Sequence, residues 1–177
     1  MTDEIEIIEK IRSGDTEAFR FLVERYQQPV INMIRNMLND PHGCEDIAQD
    51  VFFAAFSKLR SFDPARSRFS TWLFTITRNK TLNLIRKKKP VLTEQLPTQT
   101  DCSDPSDALT QKEFFARLDN VLQQLPPRQK RAFVLAEFEN LPYEDIAQIE
   151  CTSLGTIKSR IHRAKKKLRN VLSQFQD

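Results

Sequence analysis

The sequence contains little glycine, little cysteine and no long apolar run. With only three glycines in 177 residues and no alternating apolar pattern, it favours helices over sheets. The three cysteines are scattered and lack any CxxC or Cys/His ligand spacing, which argues against disulfides and zinc. No segment is apolar for long enough to span a bilayer, and the acidic start MTDEIEIIEKI is unlike a signal peptide. These absences predict a cytoplasmic protein that holds no metal and does not insert into the membrane.

The residue patterns of common catalytic sites are also absent. The sequence has no glycine-rich phosphate loop and no cluster of metal ligands. Its two histidines, His42 and His162, have no evident partner for acid–base or nucleophilic chemistry. We therefore expect a protein that is not an enzyme and that needs no cofactor.

The net charge of +3 conceals an uneven distribution. Residues 1–89 contain 15 basic and 12 acidic residues, and residues 112–177 contain 12 basic and eight acidic ones. The intervening residues 90–111 contain four acidic residues and no basic one. Two basic modules joined by an acidic strip indicate two nucleic-acid contacts rather than one.

Helical periodicity on both sides of this strip predicts an all-α fold with two small domains, residues 1–89 and 112–177. Residues 90–111 are rich in Pro, Thr, Ser and Asp without periodicity, and are predicted to form a flexible linker. In the first domain, Asp15 is predicted to cap a helix that Pro29 either kinks or restarts.

Two more helices are predicted in the first domain, and their starts can be placed. Asp40 and Pro41 begin one helix, and Ser70 caps the other. The inward residues of the first of these helices are predicted to be Ile47, Val51, Ala55 and Leu59.

The segment from Leu141 to Arg169 predicts a helix-turn-helix. A first short helix is followed by a turn at residues 151–153, and a second helix starts at Thr156. One apolar stripe of the second helix comprises Ile157, Ile161, Ala164 and Leu168. Its other faces are strongly basic, and no acid occurs between Cys151 and Gln176. Such a helix can enter a major groove and neutralise phosphates, although a basic run taken alone is more often a solvated surface.

A second basic segment, from Pro64 to Thr93, contains eight basic residues and no acidic one. Aromatic rings and amides interleaved with cations can hold unpaired bases, although Trp72 and Phe74 would fit a core equally well. The polar surface of this segment comprises Arg78, Asn79, Lys80, Asn83 and Arg86. The loop at residues 61–67 is either an ordinary turn or a cradle for an extruded base.

An acidic, amide-bearing face precedes this segment. It comprises Glu45, Asp46, Gln49 and Asp50. Because such a face repels DNA, it is either a solvated surface or a docking site for a basic protein partner.

Four motifs in this order, DIAQDVF, FSTWLFTITRN, LPYEDIAQ and GTIKSRIHRAKKKL, resemble the extracytoplasmic-function sigma factors of bacterial RNA polymerase. The resemblance runs from about Asp15 to Leu172. It implies that residues 1–89 form a sigma-two domain, which docks on the clamp coiled coil of core polymerase and opens the minus-ten element of promoter DNA. Residues 112–177 would form a sigma-four domain, which reads the minus-thirty-five element and contacts the polymerase flap. An anti-sigma factor is a further implied partner.

The resemblance also assigns roles to residues. The implied polymerase-binding residues are Asp46, Gln49, Asp50 and Phe53. The implied minus-ten residues are Ser61, Phe62, Asp63, Arg66, Ser67, Trp72, Arg78, Asn79, Asn83 and Arg86. The implied minus-thirty-five residues are Thr156, Lys158, Ser159, Arg160, His162, Arg163 and Lys166.

Three residues depart from the family pattern. Cys151 replaces the usual turn glycine, which predicts an unusual backbone or a reshaped turn. Glu150 stands at a usually apolar position and is expected to leave the turn more exposed. Asn83 stands where aspartate is common, which bears on promoter preference.

The alternative function is a conventional helix-turn-helix regulator. The docking face at residues 46–50 and the aromatic, basic segment fit this alternative poorly.

Overall fold

In the computed structural model, the described residues are 4–38, 43–87 and 121–172, and all their regular elements are helical. This confirms the predicted all-α fold. The α-helices are α1 (Glu4–Arg12), α2 (Phe19–Met37), α3 (Cys44–Lys58), α4 (Phe69–Lys87), α5 (Pro127–Glu137), α6 (Tyr143–Ile149) and α7 (Leu154–Leu172). Short 3₁₀ turns occupy Thr16–Ala18 and Leu59–Ser61, and residues 121–123 are helical. We call residues 4–87 the N-terminal module and residues 121–172 the C-terminal module.

The entry into α2 differs from the prediction in detail. The Asp15 carboxylate accepts a hydrogen bond from the Ala18 amide at 3.3 Å, so Asp15 caps the 3₁₀ turn that leads into α2. Helix α2 continues through Pro29, so this proline does not start a new helix. Proline costs the helix a hydrogen bond, but Leu22 and Val30 on either side are fully buried, and their packing offsets the loss.

The starts of α3 and α4 also differ from the sequence prediction. Helix α3 begins at Cys44, after a left-handed Gly43 with φ of 79°, and the predicted start at residues 40–41 lies outside the described residues. Helix α4 begins at Phe69, so Ser70 lies inside its first turn. The reason is the anchoring of Phe69, which is buried and has its ring centroid 5.6 Å from that of Tyr26.

The core of the N-terminal module lies between α2, α3 and α4, which contact one another pairwise. The predicted inward residues of α3 are mostly correct. Val51, Ala55 and Leu59 are buried, whereas Ile47 is half-buried.

The two modules lie against each other. Helix α2 contacts α5, and α4 contacts α6. The apolar core continues across these contacts to Leu135, Ile146 and Ile149. A smaller cluster inside the C-terminal module joins Leu122 and Leu125 to α5 and α7. The predicted linker, residues 90–111, lies outside the described residues.

A proline pair opens α5. Pro126 is the N-cap and Pro127 the first residue of α5, where the missing amide costs no helical hydrogen bond.

We expect Leu73→Ala to lower the free energy of unfolding by about 2–5 kcal/mol, because Leu73 is fully buried and its truncation leaves a cavity. Chemical denaturation followed by circular dichroism measures the change. Ile5→Ala is the control, because Ile5 is 49% exposed. Equal losses for both variants would contradict the placement of the core.

Candidate nucleic-acid and polymerase interface

Helices α6 and α7 form the predicted helix-turn-helix. The Glu150 amide donates to Ile146 O at 2.9 Å and the Thr152 amide to Ala147 O at 3.0 Å, which closes the turn. Cys151 has a φ of 49°, so the unusual backbone expected of a non-glycine here is present. The Ser153 hydroxyl accepts from the Thr156 amide at 3.3 Å, and α7 therefore begins at Leu154, before the predicted start at Thr156.

One side of α7 is buried and another is cationic and exposed. The four residues of the predicted stripe, Ile157, Ile161, Ala164 and Leu168, are all buried. The exposed residues that the sequence assigned to DNA are Lys158, Ser159, His162, Arg163 and Lys166, and Thr156 is half-buried. Residues 159, 162, 163 and 166 share one face at helical spacing, which suits the approach to a phosphate backbone.

Other cations of α7 pair with polar groups of their own module. The Lys165 ammonium lies 2.8 Å from Glu137, whose hydrogen bond and charge raise the pKa of Lys165. Lys167 donates to the Gln124 carbonyl at 2.7 Å. The Arg160 side chain, only 15% exposed, lies 3.4 Å from Glu150. The sequence could have indicated that Arg160 is half-buried, because this residue lies directly beside the apolar stripe of α7.

Glu150 is itself buried, among three arginines, whereas Cys151 and Ser153 of the turn that follows it are exposed. Arg131 donates to both carboxylate oxygens at 2.9 Å, and Arg160 lies at 3.4 Å. Arg78 of α4 reaches the same carboxylate, with Nε 3.6 Å from Oε1. Burial of this carboxylate is tolerated because a bidentate guanidinium satisfies it. We call Glu150, Arg78, Arg131 and Arg160 the Glu150 cluster.

The Glu150 cluster holds more positive than negative charge. Burial lowers the pKa of Arg160, and the neighbouring Arg128, Arg131 and Arg78 lower it further, against the opposing effect of Glu150. Arginine nevertheless stays charged at neutral pH. Three guanidiniums around one carboxylate therefore leave charge that an anion could neutralise.

The loop at residues 61–67 is anchored to the core at Phe62, whereas its tip is exposed. Phe62 is buried, with its ring 5.7 Å from Phe69 and 5.4 Å from Trp72. Arg12 of α1 donates to the carbonyls of Leu59 and Phe62. Sequence reasoning missed Arg12, which no local pattern links to this loop.

At the tip of this loop, the Asp63 carboxylate accepts from the Ala65 amide at 3.0 Å. Ser61, Asp63 and Arg66 are exposed and Ser67 is half-buried. The sequence-assigned loop residues thus lie together at the surface, except for Phe62.

Helix α4 presents a polar face to solvent. Asn79, Asn83 and Arg86 are exposed at positions i, i+4 and i+7, and we call them the α4 polar face. Trp72 is half-buried in the aromatic group around Phe62, whereas Phe74 is 1% exposed and belongs to the core. Arg78 borders the α4 polar face and donates to the Asn79 side chain at 3.2 Å.

Helix α3 carries a third exposed surface. Asp46, Gln49 and Asp50 are all exposed, and the neighbouring Phe53 is 73% exposed. A large apolar ring next to carboxylates is typical of a protein-docking surface.

Two kinds of structure are absent from the described part of the chain. Within residues 4–38, 43–87 and 121–172, no three His, Cys, Asp or Glu side chains are grouped so that they could hold a metal ion. In these same ranges, no helix combines the length and apolarity that crossing a membrane requires.

A basic helix-turn-helix joined to a second helical module with its own polar face defines a two-module DNA-binding protein. Residues 22–91 match the family model Sigma-70 region 2, and residues 115–168 match Sigma-70, region 4. The chain therefore belongs to the sigma-70 family, among the ECF RNA polymerase sigma factors.

Curated relatives extend this similarity over almost the whole chain. The chain is 33% identical to the ECF RNA polymerase sigma factor SigW of Bacillus subtilis, covering 93% of this chain and 94% of that protein. It is 32% identical to the ECF RNA polymerase sigma factor RpoE of Cereibacter sphaeroides, covering 97% and 96%. These relatives favour a sigma factor over a conventional helix-turn-helix regulator.

Solved structures of sigma factors share the fold. One is the sigma factor RpoE in complex with the anti-sigma factor NepR from Bartonella quintana, with a TM-score of 0.70 and 26% identity over 88% of this chain and 96% of that chain. Another is CnrH in complex with the cytosolic domain of CnrY, with a TM-score of 0.69 and 25% identity over 95% and 96%. The similarity thus includes both modules.

We expect Cys151→Gly to raise the free energy of unfolding by about 0.5–1 kcal/mol. A left-handed backbone costs a non-glycine residue about 1–2 kcal/mol, and the greater freedom of glycine in the unfolded chain cancels part of the gain. Urea denaturation measures the effect. The control is Ser159→Gly inside α7, which should lower stability. A loss of stability for Cys151→Gly would contradict the strained turn.

Proposed function

We propose that this chain binds core RNA polymerase, directs it to promoters by contacts at the minus-ten and minus-thirty-five elements, and promotes DNA melting, acting in the cytoplasm without catalysis of its own. The observation that carries this proposal is the segregation of surfaces on one chain. A cationic face on α7 suits duplex DNA, whereas an exposed acidic and aromatic face on α3 suits a protein. A simple DNA-binding module needs only the first of these surfaces.

Three segments divide this work. Residues 1–89 form the polymerase-docking and minus-ten domain, residues 90–111 connect the domains, and residues 112–177 form the minus-thirty-five domain. The family matches at residues 22–91 and 115–168 support this division.

The C-terminal domain reads duplex DNA with α7. Lys158, Arg163 and Lys166 are exposed and supply charge for phosphates, while Ser159 and His162 lie among them with groups that can hydrogen-bond to base edges. Arg160 braces Glu150 in this structure and contributes by holding α7 in place. The polymerase flap is a second partner of this domain.

The N-terminal domain holds unpaired bases with the α4 polar face and the loop at residues 61–67. Asparagine offers a donor and an acceptor to a base edge, and Arg86 offers charge to the strand. Extruding a base costs a few kcal/mol, which a pocket of polar and aromatic groups must offset. The loop combines polar residues at its exposed tip with Phe62, whose ring contacts Trp72.

The α3 surface docks on the clamp coiled coil of core polymerase. Its carboxylates at Asp46 and Asp50 would meet basic residues, and Phe53 would bury its exposed ring. An anti-sigma factor is a further partner of the chain. The related structures in complex with NepR and with CnrY support this assignment.

Run-off transcription with bacterial core polymerase tests the function. We expect promoter-specific transcripts that require this protein and are strongly reduced by Asp50→Ala, because the variant removes a charge from the docking face. Glu144→Ala, an exposed acid on α6, is the matched control and should leave the transcripts unchanged. Duplex binding without any binding to polymerase would instead indicate a conventional regulator.

We expect Lys158→Ala and Arg163→Ala to weaken binding to minus-thirty-five duplex DNA, and each to reduce the salt dependence of log K by about 1, because each removes a phosphate contact. Fluorescence anisotropy over a salt series measures both quantities. Lys165→Ala is the control with the same loss of charge, since Lys165 is paired with Glu137. Equal losses for Lys165→Ala or for Asp50→Ala would contradict the division of labour.

A further inference from the structure

The contact between the two modules includes two ion pairs. Arg78 of α4 lies 3.6 Å from the Glu150 carboxylate, and its Nη2 donates a long 3.5 Å hydrogen bond to the Glu150 carbonyl. Arg68, just before α4, lies 4.0 Å from the Asp145 carboxylate of α6. Both arginines belong to the N-terminal module, and both acids belong to the helix-turn-helix.

These ion pairs are poorly satisfied compared with those inside the C-terminal module. Arg131 holds Glu150 through two hydrogen bonds of 2.9 Å, whereas the contacts that Arg78 and Arg68 make to Glu150 and Asp145 across the modules measure 3.5–4.0 Å. The Nε of Arg78 and the Oδ2 of Asp145 are buried, and neither makes a hydrogen bond within the described part of the chain. A buried polar atom without a hydrogen bond is costly, so the pairing of Arg78 with Glu150 is readily exchanged for a better one.

A nucleic-acid phosphate would be a better partner for Arg78. It can accept two parallel hydrogen bonds from a guanidinium, whereas the Glu150 carboxylate is already engaged by Arg131. Arg78 borders the α4 polar face, where a DNA strand would bring phosphates close to it. After such an exchange Glu150 keeps Arg131 and Arg160, and the C-terminal module loses only one of its three compensating charges.

We propose that Glu150 holds Arg78 in a closed state of the chain, in which its carboxylate takes the place of a DNA phosphate beside the α4 polar face, and that single-stranded DNA opens the modules by displacing it. This inference rests on the proposed role of α4 in binding single-stranded DNA. The cationic face of α7 stays exposed in the closed state. The α4 polar face is exposed too, so closure restrains the binding of single strands by withholding Arg78 from them and leaves duplex binding available.

The first test measures closure alone, without DNA or polymerase. Small-angle X-ray scattering of the full chain should give a radius of gyration several ångströms larger for Arg78→Gln than for the wild type. Arg86→Gln is the control, because it removes the same charge from an exposed position on the same helix. An unchanged radius for Arg78→Gln, with helical content intact by circular dichroism, would overturn the proposal.

The second test keeps Arg78 and removes the negative charge of Glu150 that holds it. A fluorescein-labelled single-stranded DNA of mixed sequence, followed by anisotropy, should bind Glu150→Gln more tightly than the wild type, by about tenfold where one wild-type molecule in ten is open. Glu144→Gln removes the same charge from an exposed position of α6 and should bind like the wild type. Equal tightening by both variants would reveal a general charge effect and overturn the proposal.

Thermal unfolding accompanies both tests, because Glu150→Gln also weakens the partner of Arg131. If Glu150→Gln does not fold, the radius of gyration of Arg78→Gln still tests closure. Asp145→Asn then replaces Glu150→Gln in the binding assay. Opening without tighter single-strand binding would overturn the displacement mechanism. Absence of single-strand binding by the wild type and every variant, together with failed run-off transcription, would contradict the proposed function itself.

Discussion

The bidentate pairing of Arg131 with Glu150 is the interaction on which the helix-turn-helix most depends. Glu150 is only 5% exposed. Without Arg131 its buried charge would be strongly destabilising, because no hydrogen bonds of comparable quality would offset the cost of removing the carboxylate from water. The pair joins α5 to the end of α6, and the third partner, Arg160, joins the same carboxylate to α7. One buried charge thus ties together the three helices that orient the DNA-facing side of α7.

Much of this architecture follows from periodicity. The stripe at residues 157, 161, 164 and 168 and most of the inward face of α3 are buried as predicted, because a helix in water must cover its apolar side. The helix starts were less predictable. Phe69 begins α4 ahead of Ser70 because aromatic packing outweighs a hydroxyl cap, and α2 passes through Pro29 because burial on both sides holds it. Tertiary contacts therefore decide boundaries that local propensity leaves open.

The polar interior could not be read from the sequence. Arg131 and Glu150 lie far apart along the chain, as do Arg12 and the carbonyl of Phe62, and no spacing rule connects them. Charged residues were assigned to the surface because burial of a charge is rare. The assigned site residues divide accordingly. Most of those on α3, α4 and α7 lie at the surface, whereas Phe62 is buried and Arg78 and Arg160 are turned toward Glu150.

The apolar core that continues from one module into the other has a consequence for unfolding. Residues of α2 and α4 lose part of their cover when α5 and α6 move away, so each module stabilises the other in the way that a bound ligand stabilises its receptor. While they touch, the modules are expected to melt as one cooperative unit. Once parted, they are expected to melt as two, each at its own lower temperature.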